Sequence, residues 1–291
     1  MRRGFPVGRQ LPTRCTQVAM TGHDIRFGKL FAEGKNAVIV AVDHGEFFGP
    51  MPGILDLPQA IGAAAEADGI LLSPGMIGHC RATFQRRGAP LAILRLNWST
   101  VYCFQWDYHE ARTTKVISPQ QALALGADLA LASLTLTMCD EQRDRDNVAI
   151  FAELAQAKRE AGIPLIGEFY PVSPEKLSPE ELHQQVYFAC RVVSELGADA
   201  IKTFYTGERF DEVTGSCPVP IFALGAEKTP REIDALNLAH KAVQRGARGV
   251  VFGRNVIQAA DPARFLAALK AVVKEGILPS DAAREQGIET Q

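Results

Sequence analysis

The sequence contains no uninterrupted run of about 18 or more apolar residues, so no segment reads as a transmembrane helix. It has no block of basic residues, and its formal net charge of -2 argues against a nucleic-acid partner. The N-terminal Met1-Arg2-Arg3 is basic, but no apolar signal segment follows it. We therefore expect a cytoplasmic protein that binds neither nucleic acid nor a membrane.

Residues that ligate metals are few and scattered. The six cysteines form no CxxC pair and no zinc spacing, which predicts free thiols buried as small hydrophobic groups. The six histidines are equally spread, with no ligand spacing. The sequence therefore predicts no metal site.

Eight short apolar runs recur along the 291 residues, in a composition that is 47% hydrophobic and 22% charged. Near-continuous apolar runs are typical of parallel strands covered on both faces. Strands are predicted at 38–43, 69–72, 91–95, 129–132, 165–170, 199–205, 220–224 and 249–253.

Amphipathic stretches between these runs predict helices, for example over 147–161, 179–196, 230–245 and 261–275. Gly126, Gly197 and Gly246 each follow a helix end, where glycine suits a left-handed cap. Eight strand–helix pairs in about 250 residues are the count and size of a (β/α)8 TIM barrel. An open doubly wound α/β sheet is the alternative, but no glycine-rich dinucleotide turn follows the first strand.

The segments outside this repeat set the expected domain limits. We expect one barrel domain over residues 23–278, a polar tail at 1–22 and a loose polar tail at 279–291. Residues 23–34 are predicted to form a short helix that closes the bottom of the barrel. The long connection 97–118 carries Trp98, Tyr102, Phe104, Trp106 and Tyr108, which predicts a lid, a subunit contact, or both. We expect a homo-oligomer.

Lys202 lies inside the sixth apolar run, where a charged ammonium is costly to desolvate. A buried lysine that sheds its proton is a nucleophile toward carbonyl carbon, as in Schiff-base enzymes. A lysine that reaches solvent at the strand end, or one that closes an internal ion pair, is the structural alternative.

Other titratable groups share the layer predicted for Lys202. Active sites of barrels form at the carboxyl ends of the strands, and inward positions alternate along each strand. Asp43, Glu168 and Tyr170 then face the barrel mouth together with Lys202, and Arg95 can join them from the third strand. The convergence of these groups near one lysine predicts a catalytic site.

The loops after the last two strands carry a second signal. Gly225 and Ala226 follow the seventh strand, and Gly253 and Arg254 follow the eighth. Barrels that hold phosphorylated ligands often do so at these two loops. Arg254 adds a forked cation that suits phosphate oxygens.

Five motifs in chain order resemble the archaeal-type class I, or Schiff-base, fructose-bisphosphate aldolases. That group includes the aldolase-like thiolase of autoinducer-2 phosphate breakdown. The resemblance covers about residues 28–276. The motifs are Val42-Asp43-His44-Gly45, Tyr170-Pro171, Ile201-Lys202-Thr203-Phe204-Tyr205, Cys217-Pro218-Val219-Pro220-Ile221 and Gly253-Arg254-Asn255-Val256.

The resemblance implies that Lys202 forms an imine with a ketone substrate, so that no cofactor is needed. It implies that Tyr170 is the general acid/base and that Asp43 orients the substrate hydroxyl. His44 is implied in substrate contact or in support of Asp43. The remaining candidates for substrate binding are Glu168, Arg95, Gly225, Ala226, Gly253 and Arg254.

One turn departs from the family pattern. The family usually has two adjacent glycines followed by a lysine after the seventh strand, whereas this sequence has Gly225-Ala226-Glu227-Lys228. The methyl group of Ala226 and the charge of Glu227 predict weaker or redirected phosphate binding.

The leading functional prediction is a class I aldolase, a lyase that breaks or forms a carbon–carbon bond in a phosphorylated ketose. A transferase on the same barrel is the first alternative, through acyl transfer to coenzyme A or a transaldol step. A non-catalytic barrel that binds sugar phosphates is the second. Each prediction implies a small phosphorylated sugar or ketone as the partner.

Overall fold

The computed structural model describes residues 21–106, 108 and 110–289. The strands in this part of the chain are β1 (Ala37–Ala41), β2 (Gly69–Leu72), β3 (Leu91–Arg95), β4 (Asn97–Ser99), β5 (Thr113–Lys115), β6 (Leu129–Leu134), β7 (Leu165–Phe169), β8 (Ala200–Thr203), β9 (Ile221–Leu224) and β10 (Gly249–Phe252).

Eight of these strands close into one barrel in the order β1-β10-β9-β8-β7-β6-β3-β2. All neighbouring pairs in the barrel are parallel. The predicted (β/α)8 TIM barrel is confirmed, and each of the eight predicted strands overlaps an observed one. The antiparallel pair β4–β5 lies outside the barrel, within the long connection.

The helices of the described residues cover the barrel and its ends. They are α1 (Thr21–Leu30), α2 (Gly45–Phe48), α3 (Leu57–Ala63), α4 (Arg81–Phe84), α5 (Pro119–Ala124), α6 (Glu141–Ala161), α7 (Pro179–Glu195), α8 (Phe210–Ser216), α9 (Glu232–Gln244), α10 (Arg254–Ile257), α11 (Pro262–Glu275) and α12 (Pro279–Glu285). None of those in the described ranges has the length and apolar character needed to cross a membrane.

Local signals in the sequence explain where several helices begin and end. Ser178 and Glu181 form a capping box at the start of α7, which satisfies amide groups that lack a partner within the helix. Gly126, Gly197 and Gly246 have φ angles of 96°, 109° and 92°, in the left-handed region where glycine is favoured. The predicted glycine joints are thus confirmed.

Apolar side chains form two layers. One layer lies between the strands and the surrounding helices, and the other fills the interior of the barrel. Ile39, Ile166 and Ala200 belong to the interior layer, which confirms the inward faces predicted from strand alternation.

The bottom of the barrel is closed by α1 and the short turn after it. Phe27 and Phe31 pack against the interior layer, and the ring of Phe31 stacks on that of Phe222 at 5.8 Å. The predicted closing helix is confirmed, although it begins at Thr21. Residues 1–20 of the predicted N-terminal tail lie outside the described residues.

The C-terminal segment differs from the loose tail expected at 279–291. Pro279–Glu285 forms α12, in which Ala282 and Ala283 are buried. This helix packs on α9 and α11. The segment is polar overall, but these few apolar residues lie on one face of the helix. That face is enough to pack a two-turn helix against its neighbours.

Candidate active site at the carboxyl ends of the barrel strands

Strand register brings the charged side chains together. Glu168 on β7 and Lys202 on β8 are paired positions of neighbouring parallel strands. Arg95 ends β3, and Asp43 follows shortly after β1. Because inward positions alternate along each strand, all of these side chains reach the interior at the same end of the barrel.

Arg95 is the centre of this charge cluster, and its side chain is only 2% exposed. Its Nε donates to Asp43 Oδ2 at 2.6 Å, its Nη2 to Glu168 Oε2 at 2.7 Å and its Nη1 to Ser133 Oγ at 2.7 Å. Burial alone would lower the pKa of Arg95, but the two carboxylates outweigh it and raise the pKa above its ordinary value. The guanidinium therefore fixes both carboxylates in place.

Glu168 bridges Arg95 and Lys202, because its Oε1 lies 2.5 Å from Lys202 Nζ. Burial alone would raise the pKa of Glu168, but the two cations outweigh it and lower the pKa below its ordinary value. The internal ion pair that the sequence analysis gave as a structural alternative for Lys202 is therefore present. It does not exclude a nucleophilic role, since Lys202 also lines the central pocket.

His44 packs against the backbone of Gly253 at the end of β10. A Cβ atom at Gly253 would lie 2.2 Å from His44 Cε1, so the contact requires glycine. Burial lowers the pKa of His44 to about 4, which leaves the ring neutral at neutral pH. Its Nδ1 is buried without a hydrogen-bond partner among the described residues.

Tyr170 lies at the mouth of the barrel among other aromatic rings. Its ring centroid is 4.9 Å from that of Phe204, 5.1 Å from Tyr102 and 5.9 Å from Phe104. Burial raises the pKa of Tyr170 above its ordinary value. The phenol is therefore protonated at neutral pH.

The loops after β9 and β10 are tied together by Asn255. Its Nδ2 donates to Gly225 O at 2.9 Å and to Glu227 O at 3.2 Å, while its Oδ1 accepts from Thr229 N at 2.8 Å. Ala226 lies between these anchors with φ = 49°, in the left-handed region. An alanine there is strained by about 1–2 kcal/mol, whereas a glycine is not.

Only some of the hydrogen-bond donors of Arg254 have partners within the described part of the protein. Its Nη2 donates to Ala226 O at 2.9 Å, whereas its buried Nε has no partner among the residues described. The nearby Lys228 donates to Gln258 O at 2.5 Å and so is turned away toward the backbone of that residue. Arg254 therefore keeps donor capacity for an anion, and Lys228 is engaged elsewhere.

A single pocket is lined by every residue predicted for the site. They are Lys202, Tyr170, Asp43, His44, Glu168, Arg95, Gly225, Ala226, Gly253 and Arg254. The structure thus brings these residues together, and their individual roles stay predictions. The central pocket is small, about 70 Å³.

Several residues of the site were not predicted from the sequence. Ser133 Oγ contacts Arg95, Glu168 and the hydroxyl of Tyr102, the last at 2.9 Å. The guanidinium of Arg95 packs over the rings of both Phe47 and Tyr102, with its Cζ 5.0 and 5.1 Å from their centroids. Alternation along β6 was a usable signal for Ser133, because it continues the inward positions of that strand.

The connection 97–118 contributes directly to the site. Asn97 Nδ2 donates to Ser133 O at 2.7 Å, and Ser133 N donates to Asn97 Oδ1 at 2.8 Å. These two hydrogen bonds fasten the hairpin β4–β5 to β6, so that Tyr102 and Phe104 line the central pocket.

Within the described ranges, no group of three or more His, Cys, Asp and Glu side chains is placed to hold a metal ion.

Residues 37–259 match the DeoC/LacD family of aldolases, and the chain belongs to this family. The predicted resemblance to class I aldolases is thereby confirmed.

Individual relatives agree with this assignment. The chain is 31% identical over 263 residues to an uncharacterised aldolase of Saccharolobus solfataricus, a match that covers 88% of this chain and 96% of the relative. It is 29% identical over 265 residues to 3-hydroxy-5-phosphonooxypentane-2,4-dione thiolase of an Enterobacter species, covering 90% and 84% of the two chains.

A solved structure of an archaeal fructose 1,6-bisphosphate aldolase is also similar. In that structure the catalytic lysine is covalently bound to the carbinolamine intermediate of the substrate. The TM-score is 0.72 at 26% identity, and the match covers 86% of this chain and 99% of the other.

Proposed function

We propose that this chain is a Schiff-base aldolase that cleaves or forms a carbon–carbon bond in a phosphorylated ketose. The products of cleavage are a three-carbon ketone phosphate and an aldehyde. One observation carries the proposal: Lys202 lines the central pocket, and its Nζ contacts Glu168, which Arg95 holds in place.

The ammonium of Lys202 that contacts Glu168 first releases a proton to solvent, and the neutral amine then attacks the ketone carbon. The carbinolamine loses water, with the hydroxyl of Tyr170 as the proton donor, and leaves a protonated imine. Positive charge then lies where the ammonium of Lys202 lay before, so the Glu168 carboxylate stabilises both states without rearrangement.

The protonated imine is the electron sink for bond cleavage. The Tyr170 phenolate formed in the first step takes the proton of the substrate hydroxyl, the carbon–carbon bond breaks, and the aldehyde leaves. Asp43, fixed by Arg95 at 2.6 Å, orients that hydroxyl. Tyr170 then protonates the enamine carbon, and water returns the ketone and the free amine.

The phosphate of the ketone is assigned to the loops after β9 and β10. The partnerless Nε of Arg254 supports this assignment, because a guanidinium donor that is buried without a partner gains from binding an anion. Gly225 and Gly253 line the same pocket as Arg254. The carbonyl of Ala226 competes for one nitrogen of Arg254.

Acyl transfer to coenzyme A is the second candidate function. It is favoured by the similarity to the thiolase of the Enterobacter species. Lys202 and the proposed phosphate loops serve equally well in that reaction, since it also begins from a phosphorylated ketone.

A coupled assay of aldehyde release tests the proposed function. A panel of phosphorylated ketoses is incubated with the wild-type protein and with Lys202→Met, in the presence and absence of coenzyme A. We expect release of aldehyde by the wild type alone and without coenzyme A. Turnover only in the presence of coenzyme A would contradict the aldolase assignment and support the acyltransferase. The absence of any turnover would indicate a non-catalytic barrel that binds sugar phosphates.

A further inference from the structure

A second, larger cavity opens next to the central pocket. Its volume is about 620 Å³, within the roughly 300–1,000 Å³ range of ligand pockets. Phe104, Tyr170 and Ala226 line both spaces, so the two are adjacent and meet at these three residues. The hairpin connection supplies one wall, and the segment after β7 together with α7 supplies the other.

The walls of this outer cavity expose somewhat more apolar than polar surface. Beside Phe104 and Tyr170 they include the aromatic residue Phe204 and the aliphatic residues Val101, Val172 and Leu182. Aromatic and aliphatic side chains of this kind stabilise a ligand by removing apolar surface from water. The cavity is therefore suited to a hydrocarbon group.

The charges of the outer cavity do not suit a phosphate. Among the described lining residues, Glu175 and Glu227 are acidic and Lys176 is the one cation. The central pocket, by contrast, has three cations, Arg95, Lys202 and Arg254, against two carboxylates, Asp43 and Glu168. The charged residues that line the outer cavity have a net negative charge. A second phosphate there would lose its hydration without gaining a compensating cation.

The geometry of the proposed reaction determines which fragment reaches this cavity. In the proposed reaction the ketone phosphate binds between Lys202 and Arg254, and Tyr170 serves the bond that breaks. Tyr170 also lines the outer cavity, so this cavity is the space next to the fragment beyond that bond.

We infer that the aldehyde partner of the reaction carries an aromatic or branched aliphatic group and no phosphate. The inference rests on the proposed function, and it names the class of the second substrate. Glyceraldehyde 3-phosphate, which a fructose bisphosphate would release, does not fit this cavity.

Condensation assays with dihydroxyacetone phosphate as the donor test the inference. The acceptors are phenylacetaldehyde, glycolaldehyde and glyceraldehyde 3-phosphate, and the readout is kcat/KM for each. We expect phenylacetaldehyde to exceed both of the others by at least about tenfold, the scale of discrimination that apolar pockets provide. Equal values, or a preference for glyceraldehyde 3-phosphate, would overturn the inference.

Two variants locate the preference in the outer cavity. Val172→Trp fills part of the space and should lower the ratio of kcat/KM for phenylacetaldehyde to that for glycolaldehyde by about tenfold or more. Leu182→Phe narrows the same cavity from α7 and should lower the ratio in the same direction. Val192→Trp is the matched control, because Val192 is exposed on α7 and is not part of the lining.

Borohydride trapping separates the two levels of the proposal. If dihydroxyacetone phosphate gives a lysine adduct but the ratio is unchanged in both cavity variants, the inference fails and the proposed aldolase stands. A change in sedimentation without a change in that ratio would assign the cavity to a subunit contact and also overturn the inference. If no adduct forms, the proposed function itself fails.

Discussion

Glu168 and Lys202 are register partners on adjacent parallel strands, and their side chains meet with Oε1 and Nζ 2.5 Å apart. The pairing follows from backbone geometry, because inward positions at one level of a barrel lie side by side. Arg95 reaches Glu168 from β3, two strands away in the barrel, so the carboxylate is held between two cations. A cation at the end of Lys202, whether ammonium or protonated imine, therefore meets a counter-charge that is already in position.

Tyr170→Phe should reduce turnover by about 10²- to 10⁴-fold, the usual loss when an acid/base group is removed. The yield of imine with dihydroxyacetone phosphate should fall less than turnover does, because the variant keeps Lys202. Steady-state kinetics and intact mass after borohydride reduction measure the two effects. Tyr205→Phe is the control, since Tyr205 packs on Phe210 away from the pocket lining. Near-normal turnover in Tyr170→Phe would reduce Tyr170 to a packing role.

Arg254→Ala should raise the KM for a phosphorylated ketose by about 10- to 100-fold, because a charge-assisted hydrogen bond to the phosphate is lost. The dephosphorylated sugar should be affected far less. Lys228→Ala is a matched control, since the Lys228 ammonium is engaged by Gln258 O. An equal rise in KM for both sugars would show that Arg254 does not bind the phosphate.

Ala226→Gly should relieve backbone strain at φ = 49°. We expect the free energy of unfolding to rise by up to about 1 kcal/mol, since the relief is partly offset by the greater freedom of glycine in the unfolded chain. The KM for dihydroxyacetone phosphate should fall, because the backbone becomes more approachable. Ala111→Gly, also at φ = 49°, should show the stability effect alone. An unchanged KM in Ala226→Gly would mean that the methyl group does not hinder the phosphate.

His44 and Glu46 should affect the pH dependence of stability in opposite directions. Burial lowers the pKa of His44 from 6.5 to about 4, so its contribution to stability decreases as the pH falls through this range. Burial raises the pKa of Glu46 from 4.5 to about 7, so its contribution increases as the pH falls from 7 toward 4.5. The two contributions nearly cancel in the wild type.

Single substitutions should expose each contribution. Between about pH 7.5 and pH 5, linkage predicts that His44→Gln gains roughly 2 kcal/mol of stability relative to the wild-type profile, and that Glu46→Gln loses roughly 2 kcal/mol. Denaturant unfolding at the two pH values measures both. Profiles parallel to the wild type in both variants would show that neither group titrates as its burial implies.

Strand alternation was sufficient to predict that Lys202, Glu168 and Arg95 share one layer, because a buried parallel strand has only two faces. The supporting contacts depend on pairs far apart in the chain. The bonds between Asn97 and Ser133 require the hairpin β4–β5, whose short strands give no clear periodicity.

The C-terminal helix was missed for a related physical reason. Pro279 suits the first turn of a helix, but α12 has only seven residues and buries little more than Ala282 and Ala283. So short an apolar edge cannot be distinguished from a polar tail until the neighbouring helices are placed.

Borohydride trapping at Lys202 tests the central claim most directly. The wild type, Lys202→Met and the control Lys176→Met are incubated with dihydroxyacetone phosphate, reduced, and analysed by intact mass and peptide mapping. Lys176 is exposed at the outer cavity, away from the central pocket. The account predicts one adduct on the Lys202 peptide in the wild type and in Lys176→Met, and none in Lys202→Met. An adduct of equal yield in Lys202→Met would contradict the Schiff-base role of Lys202.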